Sequence, residues 1–151
     1  NDISADIGIG QLKRVKEIVG RRKEIGNLFK NNIEGKYEWF IPQKTPSYIE
    51  HAYYTFSCEY KEELLNGKDW KSFYNEFIKR GGDGFYACVA NPYLEKSLYP
   101  IYKSQFKQKY CLCPNAEKLQ RNVMCFKTNY RDIKKAINQV NLLCELLDDW
   151  T

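Results

Sequence analysis

Residues 51–60 read HAYYTFSCEY, and this stretch does the most to predict the fold. Polar and apolar residues alternate along it with the period of a β-strand that buries one face. The predicted inner face holds Ala52, Tyr54, Phe56 and Cys58, and the more polar face holds His51, Tyr53, Thr55, Ser57 and Glu59. The sequence therefore predicts a half-buried strand near the middle of the chain.

His51, at the start of this strand, is the only histidine among the 151 residues. A histidine side chain changes charge near neutral pH, which suits a residue that faces a binding cleft. The alternative is a histidine satisfied by local hydrogen bonds, because one titratable residue is little evidence of a site. Position alone leaves both interpretations open.

A long helix is predicted for residues 2–31, because apolar residues recur there at spacings of mostly three and four. These residues are Ile3, Ile7, Leu12, Val15, Ile18, Val19, Ile25, Leu28 and Phe29. Gly8 and Gly10 interrupt its first turns, although each glycine costs a helix about 1 kcal/mol relative to alanine. We interpret them as positions where another backbone approaches closely, with local fraying as the alternative.

After the strand, Asp69 is predicted to cap a helix over residues 70–80, and Gly81 to end it in a left-handed conformation. The glycine-rich turn at 81–84 then leads into a short strand predicted for residues 85–90. The predicted buried face of the helix consists of Trp70, Phe73, Tyr74, Phe77 and Ile78.

Residues 91–110 are aromatic and basic with poor periodicity, which predicts a loop with one or two helical turns. Pro114 suits the first turn of a helix that ends near residue 123, and residues 124–126 predict a strand or an extended link. Asn129 is the predicted cap of the last helix. Its predicted core face consists of Ile133, Ile137, Val140, Cys144 and Leu147.

A brief strand or extended segment at residues 37–41 completes the set of elements. Their order favours an α+β domain, in which a small, mainly antiparallel sheet is packed by helices on one side. A length of 151 residues suits a single domain with its own core.

Composition limits the classes of function. The net charge is +5, but basic and acidic residues are interspersed, which favours solvated surfaces over a nucleic-acid patch. The six cysteines lack the paired spacing of a zinc site, so we expect reduced thiols and no metal site. The absence of a recognisable signal peptide or spanning segment predicts a cytoplasmic protein without a membrane partner.

Five motifs occur in the order found in the DegT/DnrJ/StrS family of PLP-dependent sugar aminotransferases, which this chain resembles. SADIGIGQL at 4–12 resembles the family helix AAIGLAQL, and HAYYTF at 51–56 resembles HSYxxY. CPNAEKLQ at 113–120 is similar to CPxAExL. GDGFY at 82–86, YLE at 93–95 and MCFKTNY at 124–130 resemble the perosamine-synthase-like branch.

The resemblance implies that residues 1–151 form the small C-terminal domain of a type I aminotransferase fold. The lysine that holds PLP as a Schiff base would lie in a large domain upstream, absent from this chain, as would the other PLP contacts. The resemblance therefore assigns no catalytic and no cofactor-binding residue to this chain, and predicts that it is inactive alone. Gly8 and Gly10 would pack on the large domain or on a dimer partner.

The residues that match the substrate side of the family are few. His51 would face the sugar-nucleotide cleft and hydrogen-bond to the substrate, and Lys127 would contact an anion. The full set implied is His51, Asp83, Gly84, Tyr86, Tyr93 and Lys127.

The leading hypothesis is the substrate-side domain of a homodimeric aminotransferase that makes amino sugars for polysaccharide biosynthesis. The resemblance implies transfer from glutamate to a keto-deoxy sugar that is linked to GDP. The alternative is a non-catalytic binding module, in which the tyrosines and lysines of residues 93–110 bind single-stranded nucleic acid or a protein partner. The absence of a nucleic-acid recognition motif favours the first hypothesis.

Overall fold

The computed structural model describes residues 1–87, 97–98, 100–101, 113–120 and 122–150, with the backbone alone at 86 and 87. Its strands are β1 (Phe40–Pro42), β2 (Thr55–Tyr60), β3 (Tyr86–Ala87) and β4 (Val123–Lys127). Within these ranges they form one antiparallel sheet in the order β1-β2-β4-β3.

Five helices accompany the sheet within the described ranges. They are α1 (Asp2–Lys13), α2 (Val15–Ile33), α3 (Trp70–Lys79), α4 (Pro114–Gln120) and α5 (Ile133–Asp149), with a short 3-10 helix at Glu62–Leu64. The α+β class that the sequence predicts is therefore confirmed. No helix among the described residues is both long and apolar enough to cross a membrane.

The core lies between the sheet and the inner faces of α2, α3 and α5. Phe56, Cys58 and Tyr60 alternate into it along β2, as the period of a half-buried strand requires. The Phe56 ring stacks on Phe29 of α2 at 5.2 Å between centroids. Full burial of such a side chain contributes roughly 1.5–3 kcal/mol, so this contact stabilises the packing of α2 on the sheet.

The strand predicted for residues 51–60 is shorter than expected, because it begins only at Thr55. Tyr53 adopts a φ of 48°, a left-handed conformation that interrupts an extended strand. The turn buries Tyr53 and leaves Tyr54 80% exposed, which reverses the predicted faces for these two residues. His51 consequently precedes the strand and does not lie on its polar face.

The prediction of one continuous helix over residues 2–31 is wrong, because the helix breaks at Arg14 into α1 and α2. No residue of α1 is buried, and Ile3 is 73% exposed, so the predicted apolar face contacts the core only from α2 onward. A Cβ built at Gly8 or Gly10 would meet nothing within 4 Å among the described residues. Their packing on a large domain or a dimer partner, which the resemblance implies, stays a prediction.

The ends of α3 agree with the sequence. The Asp69 side chain accepts from the Ser72 amide at 2.8 Å, and Gly81 has a φ of 91°. The sequence predicts that Ile78 lies on the buried face of α3, but its side chain is 40% exposed. The loop predicted at 91–110 lies almost wholly outside the described residues.

The start of α5 differs from the prediction, because Asp132 and not Asn129 caps it. Its core face is turned accordingly, so that Ile137 is 41% exposed. The buried residues of α5 are Ala136, Gln139, Val140, Leu143, Leu146 and Leu147. The physical reason is that Thr128 is fully buried and hydrogen-bonded, which keeps the residues after β4 out of the helix.

Candidate functional site

The segment of residues 127–131, which begins at the last residue of β4, is where most of the site elements meet. The hydroxyl of Thr128 donates to the carbonyl of Tyr53 and lies 3.0 Å from that of Tyr54. Arg22 on α2 donates to the same Tyr54 carbonyl at 2.7 Å. These bonds join α2, the residues before β2 and the end of β4, so the segment has a fixed position relative to all three.

Asp83 and Lys127, two of the residues that the resemblance assigns to the substrate, lie together. The Lys127 ammonium is 3.2 Å from the Asp83 carboxylate. The side-chain oxygen of Gln139 on α5 accepts from the Asp83 amide, and its nitrogen donates to the Gly81 carbonyl at 3.2 Å. A buried glutamine thus holds the 81–84 turn beside the end of β4.

Tyr130 completes this group, because its phenol is close enough to the Asp83 carboxylate for that charge to affect its pKa. Burial raises the pKa of the phenol well above its usual value of about 10, and the neighbouring carboxylate raises it further. The phenol therefore stays protonated near neutral pH, and Lys127 is the ion-pair partner of the carboxylate. A cavity of about 300 Å³ adjoins them, and its lining is Asp83, Tyr130, Lys134, Lys135, Asn138 and Gln139.

We expect Tyr130→Phe to reduce the loss of stability at alkaline pH. Because the pKa of Tyr130 is higher in the folded state, the unfolded state releases this proton first, and stability falls as the pH rises above about 10. Thermal unfolding between pH 8 and 11 should show a shallower decline of Tm in the variant. Tyr37 and Tyr60 also have raised pKa values, so part of the decline remains. An unchanged slope would show that Tyr130 ionises alike in both states.

His51 is separate from the Asp83 group, and its described contacts are local. Its Nδ1 accepts from the Tyr53 amide at 2.9 Å, and its Nε2 lies 2.9 Å from the side-chain nitrogen of Gln43. The ring also packs on that of Tyr53, at 4.5 Å between centroids. His51 is connected to the 127–131 segment through Tyr53, whose carbonyl binds Thr128.

The three remaining predicted residues differ in what the structure shows. Gly84 is exposed, and a Cβ built on it would lie 3.2 Å from the Tyr74 hydroxyl, so a larger residue would crowd the turn. The backbone of Tyr86 pairs with Cys125, at the middle of β4. Tyr93 lies outside the described residues, and its assignment to the substrate stays a prediction.

The sequence analysis missed a group of arginines on the other side of the 127–131 segment. They lie around a groove of about 490 Å³ between the junction of α1 with α2 and the chain after β4. The groove is lined by Gln11, Arg14, Glu17, Ile18, Arg21, Arg22, Thr128, Asn129, Tyr130 and Arg131. We call it the arginine groove.

These arginines were missed because their spacing is that of an ordinary solvated helix. Arg14 pairs with Glu17 and Arg21 with Glu24, both three residues apart along α2 and its cap. Such pairs are common on exposed helices and contribute little. Long-range contacts, such as that from the Arg21 guanidinium to the Arg131 carbonyl across 110 residues, show that the surface is part of a groove.

The groove and the Asp83 group are neighbours. A small cavity of about 90 Å³ is lined by Arg22 and Asn129 of the groove together with Lys127, Tyr54 and Thr55. Lys127 thus stands between the arginines and Asp83. The arrangement can bind an extended ligand that carries negative charge at one end and hydroxyl groups at the other.

Comparison with known protein families gives a match over most of the chain. The sequence model of the DegT/DnrJ/EryC1/StrS aminotransferase family matches residues 1–141. Comparison with curated protein sequences gave no significant match.

Three solved structures share the fold. The aminotransferase TlmJ from Streptoalloteichus hindustanus has a TM-score of 0.71 at 18% identity, over 100% of this chain and 37% of TlmJ. Spr1654 from Streptococcus pneumoniae, in its PMP form, has a TM-score of 0.73 at 15% identity, over 100% of this chain and 36% of its own. DesI, solved with its TDP-sugar product, has a TM-score of 0.67 at 16% identity, over 91% of this chain and 33% of DesI.

This chain therefore spans about a third of the length of these solved proteins and has the fold of that part. The family that the motifs resemble is confirmed by a match over most of the sequence. The chain belongs to the DegT/DnrJ/EryC1/StrS aminotransferase family.

Proposed function

We propose that the chain is the substrate-side domain of a PLP-dependent aminotransferase that acts on a nucleotide-linked keto sugar. The observation that carries the proposal is the ion pair of Asp83 with Lys127, 3.2 Å apart. It brings together two residues that the family motifs assign to the substrate, although 44 positions separate them in the sequence. The TDP-sugar product bound by DesI supports a nucleotide-linked sugar as the substrate class.

In this proposal the residues of the chain bind and orient the substrate. Asp83 accepts hydrogen bonds from sugar hydroxyls, and Lys127 holds its carboxylate in place. PLP, when bound, acts as the electron sink for amino transfer. The family resemblance implies that its contacts lie in the large domain, so in this proposal the residues described here serve the sugar and not the cofactor.

The wider features of the enzyme follow from the family resemblance and belong to the same proposal. They are an amino group from glutamate, a GDP-linked deoxy sugar, a homodimer completed by the large domain, and a cytoplasmic role in polysaccharide biosynthesis. The chain alone should neither bind PLP tightly nor transaminate. The competing module at residues 93–110 lies almost wholly outside the described residues, and no described contact favours it.

The decisive experiment compares this chain with the same chain extended upstream in its reading frame. We expect only the extended protein to show the visible absorbance of protein-bound PLP and to transfer nitrogen from glutamate to a GDP- or TDP-linked 4-keto-6-deoxy sugar. Mass spectrometry of the amino-sugar product measures the transfer. A colourless extended protein, or the lack of an upstream large domain, would overturn the proposal. Equal PLP binding by the short chain would overturn its assignment to the substrate side.

A further inference from the structure

We propose that Gln139 is a positioning residue for the sugar, which determines where Asp83 stands in the site. The inference rests on the proposed function, because it takes Asp83 as the group that accepts hydrogen bonds from sugar hydroxyls. Gln139 lies on α5, outside the motifs that the family resemblance assigns to the substrate. Its burial, its two hydrogen bonds and the exposure of the Asp83 ion pair together support this role.

Gln139 is a polar side chain on an apolar helix face. It is 7% exposed, and it is one of two buried polar residues in the described part of the chain, the other being Thr128. Its neighbours on the buried face of α5 include Ala136, Val140 and Leu143. Burial of a side-chain amide is unfavourable unless its hydrogen bonds are made. A glutamine at this position therefore depends on specific partners.

Both partners of the Gln139 side chain lie in the backbone of the 81–84 turn. Its oxygen accepts from the Asp83 amide, and its nitrogen donates to the Gly81 carbonyl at 3.2 Å. Turning the side-chain amide over would set a donor against the Asp83 amide and an acceptor against the Gly81 carbonyl, so one orientation alone satisfies both groups. The two hydrogen bonds therefore hold the turn in one conformation relative to α5.

The other side of the turn is held by α3. The Gly82 amide donates to the Phe77 carbonyl at 2.8 Å, and a Cβ at Gly82 would lie 2.5 Å from two ring carbons of Phe77. The φ of 91° at Gly81 gives the left-handed end of the helix. With α3 on one side and Gln139 on the other, the backbone of Asp83 has little freedom.

The ion pair of Asp83 with Lys127 constrains the carboxylate less than these backbone contacts do. The Lys127 and Asp83 side chains are 39% and 43% exposed, and pairs that water reaches contribute little to stability. Backbone groups bonded to a buried amide are held more firmly, because water competes less for them. Gln139 therefore determines where the carboxylate stands, and Lys127 follows it.

Gln139→Met tests this role, because methionine suits an apolar helix face and makes neither hydrogen bond. The enzyme is the chain extended upstream, assayed with glutamate and a GDP- or TDP-linked 4-keto-6-deoxy sugar. We expect kcat/KM for the sugar to fall about tenfold, as for one lost hydrogen bond to a charged group, with kcat/KM for glutamate within about twofold. Asn141→Met is the matched control and should change neither value, since Asn141 is exposed on the same helix and does not line the cavity beside Asp83.

Two further measurements separate positioning from a general loss of structure. In an Asp83→Asn background, Gln139→Met should lower kcat/KM for the sugar by less than about twofold, because a residue that acts through the carboxylate adds nothing once it is gone. Amide hydrogen exchange in the 151-residue chain, followed by NMR, reports on the turn itself. In Gln139→Met the Asp83 amide should exchange about tenfold faster, with the amides of α5 unchanged.

The inference is overturned by a wild-type kcat/KM for the sugar in Gln139→Met, by an equal fall for glutamate, or by additive effects in the double variant. Unchanged exchange of the Asp83 amide would also overturn it, because Gln139 would then not hold the turn. An extended protein that is inactive with every sugar overturns the proposed function. An active enzyme that is insensitive to Gln139→Met overturns the role of Gln139 alone, so the two failures are distinguishable.

Discussion

Gly26→Ala is expected to destabilise the domain by about 2 kcal/mol, the balance of overpacking strain and a gain in helix propensity. A Cβ at Gly26 would lie 2.3–2.6 Å from ring carbons of Tyr53, which is closer than real Cβ contacts allow. The ring has little room to withdraw. Tyr53 is buried, its amide is bonded to His51 and its carbonyl to Thr128.

Gly20→Ala on the same helix is the matched control for this prediction. A Cβ at Gly20 would meet nothing within 4 Å among the described residues, so alanine should stabilise the helix by up to about 1 kcal/mol. Urea denaturation of both variants at one pH measures the difference. The two substitutions should have opposite signs. A stabilising Gly26→Ala would mean that Tyr53 does not pack against α2 as the structure shows.

Gly26 also illustrates what the sequence could and could not predict of the fold. Periodicity located α3, β2 and the helical residues that form α2, because each buries one regular face whose spacing is visible in a single segment. A glycine in a helical pattern indicates close approach but does not identify the group that approaches. The partner, Tyr53, is 27 positions away and reaches Gly26 through a left-handed turn that no local pattern announced.

In the candidate site, too, some residues were predictable from local sequence and others were not. Family motifs marked Asp83 and Lys127, which the structure brings into contact. The motifs also marked His51, whose described contacts are local and which joins the site only through Tyr53. The arginine groove is formed by segments more than 100 positions apart, and its charges are spaced like those of any exposed helix. Tertiary contacts of this kind are not encoded in local spacing.

Thr128 is the residue through which the fold and the site depend on each other most directly. It is fully buried, and it joins Tyr53, Tyr54 and Arg22 through one hydroxyl. Thr128→Val keeps the shape but removes that hydroxyl, which leaves the buried Tyr53 carbonyl without this donor. We expect a loss of about 1–3 kcal/mol in the free energy of unfolding.

Thr128→Ser is the matched variant for this prediction. It retains the hydroxyl and should cost about 1 kcal/mol for the lost methyl group. Thr55→Val, on the half-buried face of β2, should change stability by less than about 0.5 kcal/mol. Urea denaturation of the three variants measures these differences. If valine and serine at 128 were equally destabilising, the hydroxyl would not contribute to stability, and the loss would come from packing alone.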